Sequence, residues 1–419
     1  MASGFQLNRQ RIIGILGIIV AMGLFWLVSN AVGWDKISTL RITRPGAGAA
    51  AAPLFDIPLP TVMTTAIFVV LLILGGLYLI IRQPANLSTM YMGALIFATI
   101  FILLVWAING SRTDLVDMLA RMVRLATPIV LGALAGILCE RSGVVNIAIE
   151  GLMLTGACLG FIAAVVVGNT WIGLLFALLA SGTLVMLHAL LSIRFKTDQI
   201  ISGTVINILA VGVTGYLRNN VILPLEQQGA GGAALPTIPI PLLSSIPVLG
   251  PIFFNHKPIT YLMLILVPVM HILLFRTPWG MRTRAIGEHP RAADTMGINV
   301  NRMRYMNVFF SGLMAGLAGA WFSLEATFNF DDLMTNGRGF IALAAMIFGK
   351  WTPFGSLAGA LIFSSSDALQ IKIQGFDFAL PAQFLQMMPY VITIIVLAGV
   401  IGRARPPAAV GQPYDGSGH

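Results

Sequence analysis

The chain runs to 419 residues, 57% of them hydrophobic and only 10% charged. Soluble proteins carry about 25% charged residues, so this composition excludes a soluble globular fold. A formal net charge of +9 on so apolar a chain points to basic loops facing anionic lipid rather than to a nucleic-acid-binding face.

The 44 glycines and 22 prolines sit inside apolar runs, which suits transmembrane helices and not a disordered polar chain. A helix needs about 20 apolar residues to cross the hydrocarbon core. The first candidate, 12–33, follows Arg9 and Arg11. Its apolar run exceeds the usual signal-peptide core of about 7–15 residues, so it reads as an uncleaved anchor. Spans at 59–81 and 90–108, with an Ala/Gly/Pro linker at 45–53, complete a hydrophobic extension over 1–115. Residues 114–125 then alternate Asp114, Asp117, Arg121 and Arg124 with Leu115, Met118, Leu119 and Met122. That spacing predicts an amphipathic segment lying in the interface before the chain enters the membrane.

Beyond it, 116–403 reads as one transmembrane domain. Full spans are expected at 171–193, 200–217, 261–275, 306–324, 354–369 and 384–401, and shorter or interrupted ones at 127–139, 147–168 and 340–348. The expected fold is all-α: a polytopic transmembrane helical bundle of 10–12 crossings with short or broken helices near its centre. Residues 223–258 form one long external loop, and the Pro/Gly-rich tail 404–419 is expected to be disordered and cytoplasmic. With a cytoplasmic amino terminus, twelve Lys and Arg residues after 127 fall inside, Arg284, Arg291 and Arg302 among them. Four fall outside: Arg218, Lys257, Arg338 and Lys372. That is the asymmetry of the positive-inside rule; the first 126 residues obey it poorly. Both termini are expected on the cytoplasmic side.

The chemistry that is missing narrows the function. There is no phosphate loop, since Gly349-Lys350 is followed by Trp351, and no His-Glu-x-x-His. The histidines are scattered, and Cys139 and Cys158 lie in apolar segments, forming neither a disulfide framework nor a zinc site. No catalytic centre, bound metal or cofactor is expected.

Three stretches remain. Residues 140–151, ERSGVVNIAIEG, break two apolar segments and carry Asn146 and Glu150 to membrane depth. A carboxylate at the bilayer centre costs roughly 2.5–3.5 kcal/mol, so Glu150 needs a partner; it either serves a substrate path or packs helices. Residues 284–305 form the largest basic loop. Pro290 suits the first turn of a helix and Gly297 its carboxyl-end cap, leaving a helix of under two turns that cannot hold itself together in water. Such a helix fits a knob inserted into a partner; the plainer reading is an ordinary cytoplasmic loop. Residues 337–363 echo the first break, with Gly349-Lys350-Trp351-Thr352-Pro353 cutting a short apolar piece from a longer one. Paired interruptions in two halves point to a transporter's central site. Ser202, Thr204 and Asn207 lie on one span, and Asp367 and Gln370 sit three apart on another. Polar groups of this kind suit a path for a polar, uncharged solute, so Asn146, Glu150, Asn207, Asp367 and Gln370 are the candidate pathway residues.

In these motifs the chain resembles the permease subunits of bacterial ABC importers for ribose-type sugars, branched-chain amino acids and nucleosides. ERSGVVNIAIEG at 140–151, ISGTVINILA at 201–210, GEHPRAADTMGINV at 287–300 and GRGFIALAAMIFGKW at 337–351 look like its nucleoside branch. The likeness spans about 116–403 and leaves 1–115 without a counterpart.

The resemblance implies a site in the bacterial inner membrane, a second related permease subunit, a cytoplasmic ATPase that uses ATP and magnesium, and a periplasmic or lipid-anchored binding protein that delivers a nucleoside. It also implies that Glu288, Pro290, Arg291, Ala292, Ala293, Asp294 and Gly297 form the loop that couples to the ATPase. A permease for ribose-like sugars is the nearest alternative. A proton-coupled carrier using Glu150 and Asp367 has no need of such a loop, and an intramembrane enzyme lacks a catalytic set.

Overall fold

The computed structural model describes residues 8–43, 54–84, 87–228, 231–374, 387 and 405–415. Among the described residues nine helices are long and apolar enough to cross a membrane. The expected span 384–401, residue 387 apart, and the linker 45–53 lie outside the described residues. The chain forms two compact units: one of Met1–Met122, Ile240–Phe254 and Ile362–Arg403, the other of Val123–Pro239, Asn255–Leu361 and Ala404–His419.

In the first unit, α1 (Arg9–Ala31), α2 (Thr61–Arg82) and α3 (Leu87–Ile108) pack around Ile13, Val28, Leu72, Leu79, Leu95 and Ile102. Lipid tails are as apolar as leucine, so helices associate by close packing of small residues. Gly14 of α1 and Gly76 of α2 meet in this way, since a Cβ on Gly14 would stand 2.6 Å from the Gly76 carbonyl oxygen. Tyr91 donates its hydroxyl to the Leu72 carbonyl at 2.8 Å.

The unit also holds a small sheet that the hydropathy pattern conceals. Strand β1 (Ile37–Ile42) pairs antiparallel with β2 (Phe55–Pro60) and parallel with β3 (Arg112–Asp114), in the order β2-β1-β3. Pro58 and Pro60 are tolerated because β2 is an edge strand.

Helix α4 (Leu115–Glu140) is 26 residues long. The expected interfacial segment 114–125 and short segment 127–139 are therefore one helix, continuous through Pro128. Likewise 147–168 is a full helix, α5 (Ile149–Val167). In the second unit α5 packs with α6 (Thr170–Ala189) and α7 (Gln199–Leu217). The loop after α7 carries α8 (Leu223–Gln227), strand β4 (Ile238–Pro239), the first unit's α9 (Leu249–Phe253) and strand β5 (Asn255–His256), with β4 and β5 paired antiparallel. Then follow α10 (Pro258–Arg276), α11 (Pro278–Glu288), α12 (Pro290–Thr295), α13 (Val300–Ala320), α14 (Arg338–Phe348) and α15 (Pro353–Gln374). The last of these, expected as a span, is not among the nine, and its centre carries Ser364-Ser365-Ser366-Asp367.

Helices α5, α6 and α13 approach closely through glycine. A Cβ on Gly156 would lie 2.8 Å from Gly316 Cα, and one on Gly319 would strike the Met153 carbonyl. Helices α6, α7 and α13 each end in a π-helical turn, at Leu190–Arg194, Arg218–Ile222 and Trp321–Ala326. In the last, Glu325 accepts the Ile259 N–H and the Thr260 hydroxyl, both at 2.6 Å, and so caps the start of α10.

Candidate functional site: two helix breaks and a short exposed helix

Between α4 and α5 the backbone of 141–148 leaves the helix. Away from water its polar groups need partners from the protein. Gln199 Oε1 accepts the Val145 N–H at 2.7 Å, and His188 Nε2 lies 2.8 Å from the Val145 carbonyl. Facing a carbonyl, Nε2 must carry the proton, so Nδ1 accepts from Ser202 Oγ at 3.0 Å. Asn207 Nδ2 donates to the Ile147 carbonyl at 2.9 Å, and its Oδ1 accepts the Gly151 N–H at 2.8 Å. Asn146 accepts from the Ala148 N–H at 3.1 Å and donates to Ser311 Oγ at 3.0 Å. The break is a fixed shape, braced from α6, α7 and α13.

The second break is joined to the first at both ends of α14. Glu150 Oε1 accepts the Thr335 hydroxyl at 2.6 Å and the Gly337 N–H at 2.8 Å, while Oε2 accepts the Gly339 N–H at 2.6 Å. A carboxylate at a helix amino terminus meets unsatisfied N–H groups and the positive end of the dipole. Gly339 has to be glycine, since its Cβ would lie 2.6 Å from Glu150 Cα. At the other end Glu140 accepts the Trp351 indole N–H at 2.6 Å. Arg141 donates to the Trp351 carbonyl through Nε and Nη2, at 3.2 and 3.1 Å. Burial lowers the pKa of the Arg141 guanidinium; Glu288 opposes that shift and Arg284 adds to it.

Of the candidate pathway residues, Asn146, Glu150 and Asn207 are thus brought together, and they bind the breaks themselves. Asp367 and Gln370 share α15 but belong to the other compact unit. Thr204 bonds its own helix at the Ile200 carbonyl. His188, Gln199, Ser311 and Thr335 complete the site without having been picked out from the sequence, and Trp351, named there only as part of the second interruption, joins them. Among the described residues no cluster of His, Cys, Asp and Glu has the makings of a metal site.

Helix α12 starts with Pro290 in its first turn and is followed by Gly297 at φ +79°, a left-handed position that favours glycine. Its inner residue, Ala293, is buried with Ile286, Val300 and Tyr414. Glu288, Arg291, Ala292 and Met296 are exposed, Met296 to 81%. The result is a supported projection with one covered and one open face.

The family described as branched-chain amino acid transport system / permease component matches residues 118–397. The chain is 41% identical over 305 residues to the guanosine ABC transporter permease protein NupQ of Bacillus subtilis (strain 168), covering 69% of this chain and 93% of that one. It is 37% identical over 310 residues to the nucleoside ABC transporter permease protein NupC of Lactococcus lactis subsp. cremoris (strain MG1363), covering 70% and 95%. A putative glucose ABC transporter permease protein of Haloferax volcanii, TsgC13, is 35% identical over 318 residues, covering 70% and 95%. No solved structure matches the chain.

Proposed function

The chain belongs to the branched-chain amino acid transport system / permease component family and is a multi-pass membrane protein, and on that footing we propose that it is the nucleoside-translocating permease of an ATP-driven importer. The observation that carries the substrate is the identity to two nucleoside permeases, 41% and 37%, each along more than nine-tenths of the relative's length. Its partners in this reading are a second, related permease, a cytoplasmic ATPase holding the ATP and magnesium, and a periplasmic or lipid-anchored binding protein. The protein sits in the inner membrane with both termini cytoplasmic, and it performs no hydrolysis of its own.

Each part of the site has a task. Helix α12, with Glu288, Pro290, Arg291, Ala292, Ala293, Asp294 and Gly297, is the element that the ATPase grips. The two breaks, held to each other by Glu150, Glu140 and Arg141, form one rigid gate that moves when α12 is pulled. Asn146 and Asn207 keep the break in shape beside the path, and Asp367 and Gln370 offer hydrogen bonds to a neutral polar solute. A sugar permease is the second reading, favoured by the 35% identity to the putative glucose permease.

Uptake by cells expressing the transporter set, with labelled guanosine and unlabelled competitors, tests this. The expected result is energy-dependent guanosine uptake, suppressed by excess nucleosides and untouched by glucose or ribose. Competition by sugars alone transfers the assignment to the second reading.

A further inference from the structure

We propose that segment 405–415 is a strap fastening α12 to the α4–α5 break, so that force on α12 is passed directly to the gate. The proposal deepens, and rests on, the reading of α12 as the ATPase-coupling element.

The segment was expected to be disordered from its proline and glycine content. Instead it runs in turns along the second unit and bonds five residues in succession. Ala408 N–H donates to Glu288 Oε2 at 3.2 Å, and Ala409 N–H to the Gly287 carbonyl at 2.9 Å. Gly411 N–H donates to the Gly143 carbonyl, inside the break, at 3.1 Å. The Tyr414 hydroxyl donates to Asp294 Oδ2, on α12, at 2.6 Å. Asp415 pairs with Lys196, beyond α6.

Arg304 ties the arrangement from beneath. It is 1% exposed. Its Nε donates to the Ser142 carbonyl at 3.1 Å and its Nη1 to the Gln412 carbonyl at 3.2 Å. One side chain of α13 therefore holds both the break and the strap. Gly143, at φ +90°, has no room for a Cβ, which would stand 2.7 Å from Arg304 Nη2.

Two physical points make this a coupling device. A helix of six residues does not hold its own shape in water; here Tyr414, 8% exposed, covers its inner face with Ile286 and Val300. The strap also supplies a backbone partner to Gly143, whose carbonyl lies in the break. Helix α12 and the break are thus joined through a proline-containing segment that is bonded to both. A phenol is protonated at neutral pH and so donates to the Asp294 carboxylate; burial and that carboxylate hold the Tyr414 pKa above its ordinary value.

The test compares the full chain, Tyr414→Phe and a chain ended before 405, each assembled with its ATPase, second permease and binding protein in proteoliposomes. Tyr414→Phe removes one hydrogen bond to a charged group, a loss that lowers the strapped-to-open ratio by about tenfold or more. The expected result is assembly with the ATPase in all three, with nucleoside transported per ATP hydrolysed falling about tenfold in Tyr414→Phe and further in the truncated chain. Hydrogen exchange on the isolated full-length and Tyr414→Phe chains, with no ATPase present, should quicken in the variant over 142–148 and 290–297. Parent-like transport per ATP in both variants, or unchanged exchange in Tyr414→Phe, overturns the strap. If the parent chain itself fails to assemble with an ATPase, the coupling reading of α12 falls, and with it the strap's proposed role, whatever the exchange shows.

Discussion

Glu150 lies at the amino end of α14 with three donors on its two oxygens: a hydroxyl and two backbone N–H groups. A glutamine there has one acceptor oxygen and sets an NH2 group against at least one of those donors. Leaving a buried donor unmet costs about 1–3 kcal/mol. Glu150→Gln is therefore expected to insert normally, unfold at lower temperature in detergent and take up nucleoside more slowly. Unfolding temperature and uptake equal to the parent's would remove Glu150 from the gate. The sequence already marked Glu150, Asn146 and Asn207 as polar groups at membrane depth that need partners. It did not disclose those partners, because they are remote along the chain. Val145 meets His188 across 43 residues and Gln199 across 54, Asn146 meets Ser311 across 165, and Glu150 meets Thr335 across 185. A buried histidine or glutamine in an apolar run looks the same whether it braces a break or bonds its own helix.

Helix α14 has 11 residues and is stable only because its surroundings hold it. Glu150 fixes its beginning, and Trp351, held by Glu140 and Arg141, fixes its end. Gly132 and Gly136 of α4 let it lie close, their absent Cβ atoms falling 2.8 Å from Ala342 Cβ and Met346 Sδ. Gly339→Ala places a methyl 2.6 Å from backbone atoms of Glu150, where neither side has a flexible group to yield. Overpacking of this kind costs about 1–3 kcal/mol, and it should lower both the yield of folded protein and its unfolding temperature. Wild-type stability in that variant would mean that α14 and α5 are not locked together. Both interruptions and the short helix after Pro290 were legible in the sequence, because glycine, proline and charge inside apolar runs have few other meanings. The sheet of β1, β2 and β3 was not, since its strands are short and one contains two prolines. The interfacial segment 114–125 was expected to stand apart, but its amphipathic pattern runs straight into the apolar part of α4.

At the scale of the molecule, the nine spans among the described residues expose large apolar side chains, such as Trp26 at 69%, Ile81 at 72% and Ile208 at 68%. Such surfaces suit lipid or a second permease and could not stay exposed to water over this extent. In the proposed orientation twelve of the Lys and Arg residues after 127 fall on the cytoplasmic side with α12 and four fall outside. In the proposed function this chain passes nucleosides across the membrane when a partner ATPase drives α12. The most direct measurement is ATP hydrolysis by proteoliposomes holding this chain, its ATPase, second permease and binding protein, with nucleosides or sugars added in turn. Hydrolysis should be stimulated by purine or pyrimidine nucleosides and not by ribose or glucose. Stimulation by sugar alone, or an ATPase that never assembles with the chain, would contradict that function.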